Sequence, residues 1–189
     1  MTDSPKKRDI IEHAFNAFYD RGFSLGVDAI MADTGISKRT LYKYFPSKED
    51  LVVELLRHYR NVAINGLRAG VEALSPDPSG RLHALFEVRK AMTDERVCRG
   101  CFAVSALIEF RAGQPDIEAA AGEMIADLKQ FIGELCEIGS FVDPQRLAEE
   151  ALLLFQGAIV TAQVQQSPAP FDVARSILDR IAVRTSPSS

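Results

Sequence analysis

Cysteine is scarce: three residues in a chain of 189, an odd number, make no disulfide framework. No stretch approaches the roughly 18 uninterrupted apolar residues of a membrane-spanning helix. The N-terminal MTDSPKKRD has no apolar run behind its basic residues, so no leader is expected and the chain reads as cytoplasmic. Alternating runs long enough for a convincing strand are missing, and so are internal repeats. There is no Ser-His-Asp set, no phosphate-cradling glycine loop and no paired His and carboxylate motif, so neither an enzyme nor a cofactor site is expected. Net positive charge is lacking too. The chain holds 22 Lys and Arg against 26 Asp and Glu, a net charge of −4, which argues against a generic nucleic-acid binder.

What is present points elsewhere. A hydrophobic content of 47% with 25% charged residues excludes global disorder and suits a soluble globular chain, long enough for one core plus a small module. The charge is unevenly spread: residues 1–60 carry ten Lys or Arg and nine Asp or Glu, +1, which leaves −5 on the rest. Within residues 37–48, SKRTLYKYFPSK, four basic residues and two tyrosines stand without a single acid.

The pattern is helical throughout. Ser4 and Pro5 predict a helix start, Ile10, Ile11, Ala14, Phe15 and Phe18 recur on one face, and Gly22 ends the run. VDAIMADTGI predicts a short helix ending at Gly35, and Ser37 a cap for another running towards Phe45 and stopped by Pro46. Val27, Ile30, Ile36 and Leu41 are the expected contacts closing a three-helix core, and the pair is a candidate helix-turn-helix. Ser47 and Asp50 predict the start of a long fourth helix reaching about Leu74, with Leu51, Leu55, Tyr59, Val62 and Gly66 along its stripe. After the loop SPDPSG, helices are expected at 82–92, 100–110, 116–138, 144–165 and 171–183, separated by segments rich in Gly, Pro and Ser. The helix 144–165 is apolar nearly all round and must be covered on both sides. A homodimer through the helices 144–165 and 171–183, forming a four-helix bundle about a two-fold axis, would cover it; a central helix in a monomer is the alternative.

This order of parts resembles the TetR family of bacterial transcriptional regulators. The resemblance is most specific at Gly22-Phe23 and over residues 27–51, in VDAI, TGISKRTLYKYF and PSKEDL. It implies an all-α fold: an N-terminal helix-turn-helix DNA-binding domain at 1–46 and a C-terminal helical ligand-binding and dimerisation domain at 47–184. A disordered tail at 185–189 completes the expected division. It also implies a regulator, in the family a repressor, that leaves its DNA operator when a small-molecule inducer binds. The sequence departs from the family's pattern in a turn one residue short in FSLGVDAI, with Leu25 where a capping Ser or Thr is usual, and in Met31 and Thr34 where small residues are usual.

Side-chain reach assigns parts in DNA contact. Lys38, Arg39 and Thr40 begin the third helix, where Arg39 can pair with a guanine edge and the Thr40 methyl can meet a thymine. Tyr42, Lys43 and Tyr44 lie further along; the resemblance implies phosphate contacts from Tyr42 and Lys43. Lys48 is expected to hold the DNA backbone from the start of the fourth helix, and Lys6, Lys7 and Arg8 to form a mobile arm. Cys98 and Cys101 make a CxxC, readable as the pair of a redox-sensing regulator or of a thiol-based enzyme, as two ligands of a metal site that lacks its other half, or as an incidental pair. An inducer pocket in the family-like reading would draw apolar walls from Tyr59, Phe86, Phe102, Leu107 and Phe110 and polar groups from His83, Glu109, Gln156 and Gln163. Taken singly, each of these reads first as an ordinary helix-surface or satisfied core residue.

Overall fold

The computed structural model describes residues 5–32, 35–93, 99–110 and 113–185. Among them are nine α-helices, a 3-10 turn and no strand; an isolated antiparallel bridge pairs Phe141 with Arg184. Ser4, Thr34 and Cys98, which carried expectations above, lie outside the described residues.

Helix boundaries follow the punctuation. Helix α1 (Pro5–Arg21) stops at Gly22, whose φ of +82° is a left-handed value that a side chain resists, and whose N–H closes the helix on the Phe18 carbonyl at 2.8 Å. Helix α2 (Val27–Met31) is shorter than the expected run to Gly35. Helix α3 (Lys38–Tyr44) and helix α4 (Lys48–Leu74) follow. At the head of α4, the Asp50 N–H donates to Ser47 Oγ at 3.0 Å and the Ser47 N–H to Asp50 Oδ2 at 3.0 Å, a reciprocal capping box. Then come α5 (Arg81–Ala91), α6 (Phe102–Glu109), α7 (Pro115–Ile138), α8 (Pro144–Gln165) and α9 (Pro170–Ile181). Asp143 caps α8 by accepting from the Arg146 N–H at 3.1 Å.

The chain packs as two compact units, Met1–Asn61 with Phe102–Met124 and Val62–Cys101 with Ile125–Ser189. In the first, Ile10, Ala14, Leu41, Leu51, Val52 and Leu55 are fully buried, with Phe18 and Phe45 1% exposed. Burying side chains of this size contributes roughly 1.5–3 kcal/mol each, which is what holds helices as short as α2 and α3 in place. Met31, despite its departure from the family's small residue, is also buried. The unit includes the first half of α4, α6 and the first turns of α7 in addition to the segment 1–46.

In the second unit, α5 and α9 run antiparallel, tied by His83 to Asp179 at 2.8 Å, Lys90 to Asp172 at 2.7 Å, and Arg175 to Glu87. Phe86 of α5 meets Phe155 of α8 edge-on at 5.5 Å, and Phe155 meets Phe171 of α9 at 6.5 Å. Val62 does not follow the predicted α4 stripe: it is 57% exposed, and Ile64 and Val71 are buried with Leu67. By length and composition α8 could cross a membrane, but one face, including Ala151, Phe155, Ala158 and Ala162, is buried in protein. Its other face leaves Leu153 75% and Val164 79% exposed. At the C-terminus, Thr185, expected in a disordered tail, donates its N–H to the Ser140 carbonyl at 2.9 Å.

Candidate nucleic-acid interface

Helix α3 is built to present one face. Gly35, at φ +64°, turns the chain after α2, and Ser37 in extended geometry starts the new helix. The Thr40 N–H donates to Ser37 Oγ at 3.1 Å, and the two hydroxyls lie 2.9 Å apart. Leu41 and the C-capping Phe45 are buried. Residues three and four apart share a helix face, so fixing Leu41 and Phe45 inward turns Arg39, Tyr42 and Lys43 to solvent, where all three are exposed. Acid-free from Ser37 to Lys48, this face carries positive charge with an aromatic hydroxyl between.

The structure gives several of the predicted contact residues partners within the chain. Lys38 Nζ donates to Asp28 Oδ2 of α2 at 2.9 Å, and that hydrogen bond raises the lysine's pKa. Thr40 is half-buried and has its hydroxyl 2.9 Å from Ser37 Oγ in the cap. Tyr44 is half-buried. Lys48 donates its ammonium to the Phe23 carbonyl and lies 5.6 Å from the centre of the Phe18 ring. Lys7, expected in a mobile arm, is held by Glu54 of α4 at 2.7 Å and lies 5.8 Å from the Phe45 ring centre; Lys6 and Arg8 are exposed. Asp28 and Glu54 were not singled out from the sequence, and Phe23 was noted only for the resemblance, not as the partner of Lys48. They act through contacts distant along the chain, and no local spacing announces them.

The residues named for a pocket fall into separate groups. Tyr59, Phe102 and Phe110 join Phe15, Tyr19 and Phe23 in an aromatic cluster of the first unit, while Leu107 is half-buried and Glu109 exposed. In the second unit, Phe86 lies in the core, His83 is engaged by Asp179, and Gln156 is half-buried on α8. Gln163 lies across Gly100, where a Cβ would collide with its amide. Cys101 is half-buried, whereas Cys136 is buried, and burial together with the nearby Glu137 pushes its thiol up to about 12, so it carries no thiolate chemistry. No group of three potential metal ligands occurs among the described residues.

Comparison with known proteins adds identity of type to this geometry. A profile of bacterial regulatory proteins of the tetR family matches residues 10–55, and one for a tetracyclin repressor-like C-terminal domain matches residues 78–178. The HTH-type transcriptional repressor DhaR of Mycobacterium sp. (strain GP1) is 24% identical over 177 residues, 91% of this chain and 89% of DhaR. The HTH-type transcriptional regulator RutR of Escherichia coli (strain K12) is 32% identical over 134 residues, 69% of this chain but 58% of RutR. Two solved structures share the fold. Reduced E. coli NemR superposes with a TM-score of 0.81 at 19% identity, covering 96% of this chain and 98% of its own. A regulatory protein TetR from Rhodobacter sphaeroides gives 0.82 at 22% identity, covering 94% and 98%.

Proposed function

The chain belongs to the TetR family of bacterial transcriptional regulators, and from that premise we propose that it is a ligand-responsive repressor. It binds a roughly palindromic operator as a homodimer and is released by a small-molecule inducer. The observation that carries this reading is the exposed, acid-free face of α3, set by the Ser37 cap and the buried Leu41 and Phe45. A helix so anchored presents its N-terminal side chains to the DNA major groove. Arg39 pairs with a guanine edge, the Thr40 methyl meets a thymine, and Lys38 exchanges its exposed Asp28 partner for the DNA. Tyr42 and Lys43 serve the phosphates, with Tyr44 beside them at the DNA, and Lys48 fixes the backbone from α4. Repression is supported by the likeness to DhaR, a transcriptional repressor, and the dimer by the uncovered apolar face of α8 and α9. Inducer release requires only that the inducer bind the DNA-free state better than the DNA-bound one. Of the side chains named from the sequence for an inducer, Tyr59, Phe102 and Phe110 cluster within the first unit.

The test is selection of a binding site from random duplex DNA by the purified protein, followed by displacement with a metabolite panel. The selected site is expected to be two related half-sites. Arg39→Ala should lower affinity for it by at least tenfold, in line with the roughly 1–3 kcal/mol of one bidentate base contact, with little change on random DNA. Lys48→Ala should weaken both. Unchanged mobility shifts for both variants on the selected site would overturn the assignment.

A further inference from the structure

The turn between α1 and α2 has a weakness that the rest of the first unit repairs. Gly26 stands at the N-cap of α2 and supplies no side-chain hydrogen bond, and a helix as short as Val27–Met31 does not hold its own direction. Besides the burial of Val27, Ile30 and Met31 and the hydrogen bond from Arg21 to the Ala29 carbonyl, two anchors on Phe23 fix the turn. Its carbonyl accepts from the Lys48 ammonium. Its ring, 2% exposed, is wedged among Phe18 at 5.4 Å, Phe110 at 5.5 Å and Phe102 at 4.8 Å.

Phe102, the first residue of α6, is the hub of that packing. Besides Phe23 it meets Phe15 at 5.0 Å and Tyr19 at 5.7 Å on α1, and Tyr59 at 5.6 Å on α4. Phe15, Tyr19 and Tyr59 also touch one another, at 5.3–6.1 Å. Phe15, Tyr19, Phe23, Tyr59 and Phe102 are each braced by at least two other rings, in tilted, edge-on and stacked pairs, so removing the hub loosens the rest.

We propose that Phe102 is a positioning residue for DNA recognition, locking the α1–α2 turn through Phe23 and thereby fixing how α2 and α3 are presented. It touches no DNA. The inference rests on the DNA-binding reading above, and adds that α6 is part of what aims the recognition helix. Base-edge contacts depend on a fixed docking angle, whereas phosphate attraction tolerates a shift. A loosened turn therefore costs sequence preference more than general affinity.

The experiment replaces Phe102 by Leu in the full chain, keeping apolarity while removing the ring, and compares it with Phe155→Leu, an equally buried truncation in the second unit. Backbone amides of residues 23–27 are followed by hydrogen exchange, and affinities are measured for the selected site and for random DNA at one salt concentration. Phe102→Leu should speed exchange in the turn at least tenfold and lower the specific-to-random affinity ratio about tenfold, while Phe155→Leu leaves both near wild type. Equal behaviour of the two variants overturns the proposal. If Phe102→Leu does not fold, Phe102→Met, flexible and nearer in volume, carries the same comparison. A wild-type protein with no preferred DNA site would reject the DNA-binding reading, and the exchange data would still decide whether Phe102 holds the turn.

Discussion

Glu54 lies between two cations, Lys7 Nζ at 2.7 Å and Arg57 Nη1 at 2.8 Å, and its side chain is 26% exposed. Burial pushes its carboxyl up, but the hydrogen bonds from Lys7 and Arg57 together outweigh burial and hold it below its ordinary value. A depressed folded pKa means stabilisation that is fully present above the unfolded value and is lost as the pH falls through the folded one. Glu54→Gln should therefore cost up to about 1 kcal/mol in urea denaturation near neutral pH. The gap between variant and wild type should close as acid carries the pH below the ordinary carboxylate range. A gap that persists undiminished into acid would assign the loss to packing instead of charge.

At the scale of elements, local chemistry wrote most helix ends plainly. Ser37, Ser47 and Asp143 are caps with the hydrogen bonds their positions imply, and Gly22 takes the left-handed turn that ends α1. Hence α8 begins and ends where its periodicity does, at Pro144 and Gln165. The exposed face of α3 was legible for the same reason, since Leu41 and Phe45 fix its rotation. Less legible were the partners of the charges, because Asp28 of α2 pairs with Lys38 and the Phe23 carbonyl, in the turn before α2, with Lys48 of α4, and the packing of α6, because the eight residues FAVSALIE announce burial without naming what they bury against. Helix α3 depends on its cap: seven residues are too few to persist alone. Ser37→Ala, which removes the acceptor of the Thr40 N–H, should destabilise the protein by about 1 kcal/mol, and Ser37→Asp should restore most of it. Thermal denaturation of the two variants checks this, and equal melting would mean that the cap contributes nothing.

For the whole molecule, the question is what covers α8. The expectation that both its sides need cover meets a helix with one side buried and Leu153, Val160 and Val164 exposed on the other, beside Val173 of α9. Between the two helices runs a mostly apolar groove of about 350 Å³, floored by Gly157, Ala158 and Ala174. A patch of this kind left in water costs free energy that a second copy recovers, and a two-fold axis places the same groove on both sides of the contact. In the proposed dimer each subunit reads one half-site, so separating the subunits abolishes the gain from binding both at once. Leu153→Asp sets like charges facing each other near the axis, while in a monomer the same aspartate is simply solvated, as the 75% exposure of Leu153 allows. Sedimentation should accordingly show the wild type as a dimer and the variant as a monomer, with circular dichroism unchanged. Affinity for the full palindrome should fall at least a hundredfold, while affinity for an isolated half-site stays within about twofold, since the linkage between sites is all that has been removed. A wild type that sediments as a monomer at micromolar concentration, or a Leu153→Asp variant that remains dimeric, would place the subunit contact elsewhere and leave the exposed stripe on α8 without the role assigned to it.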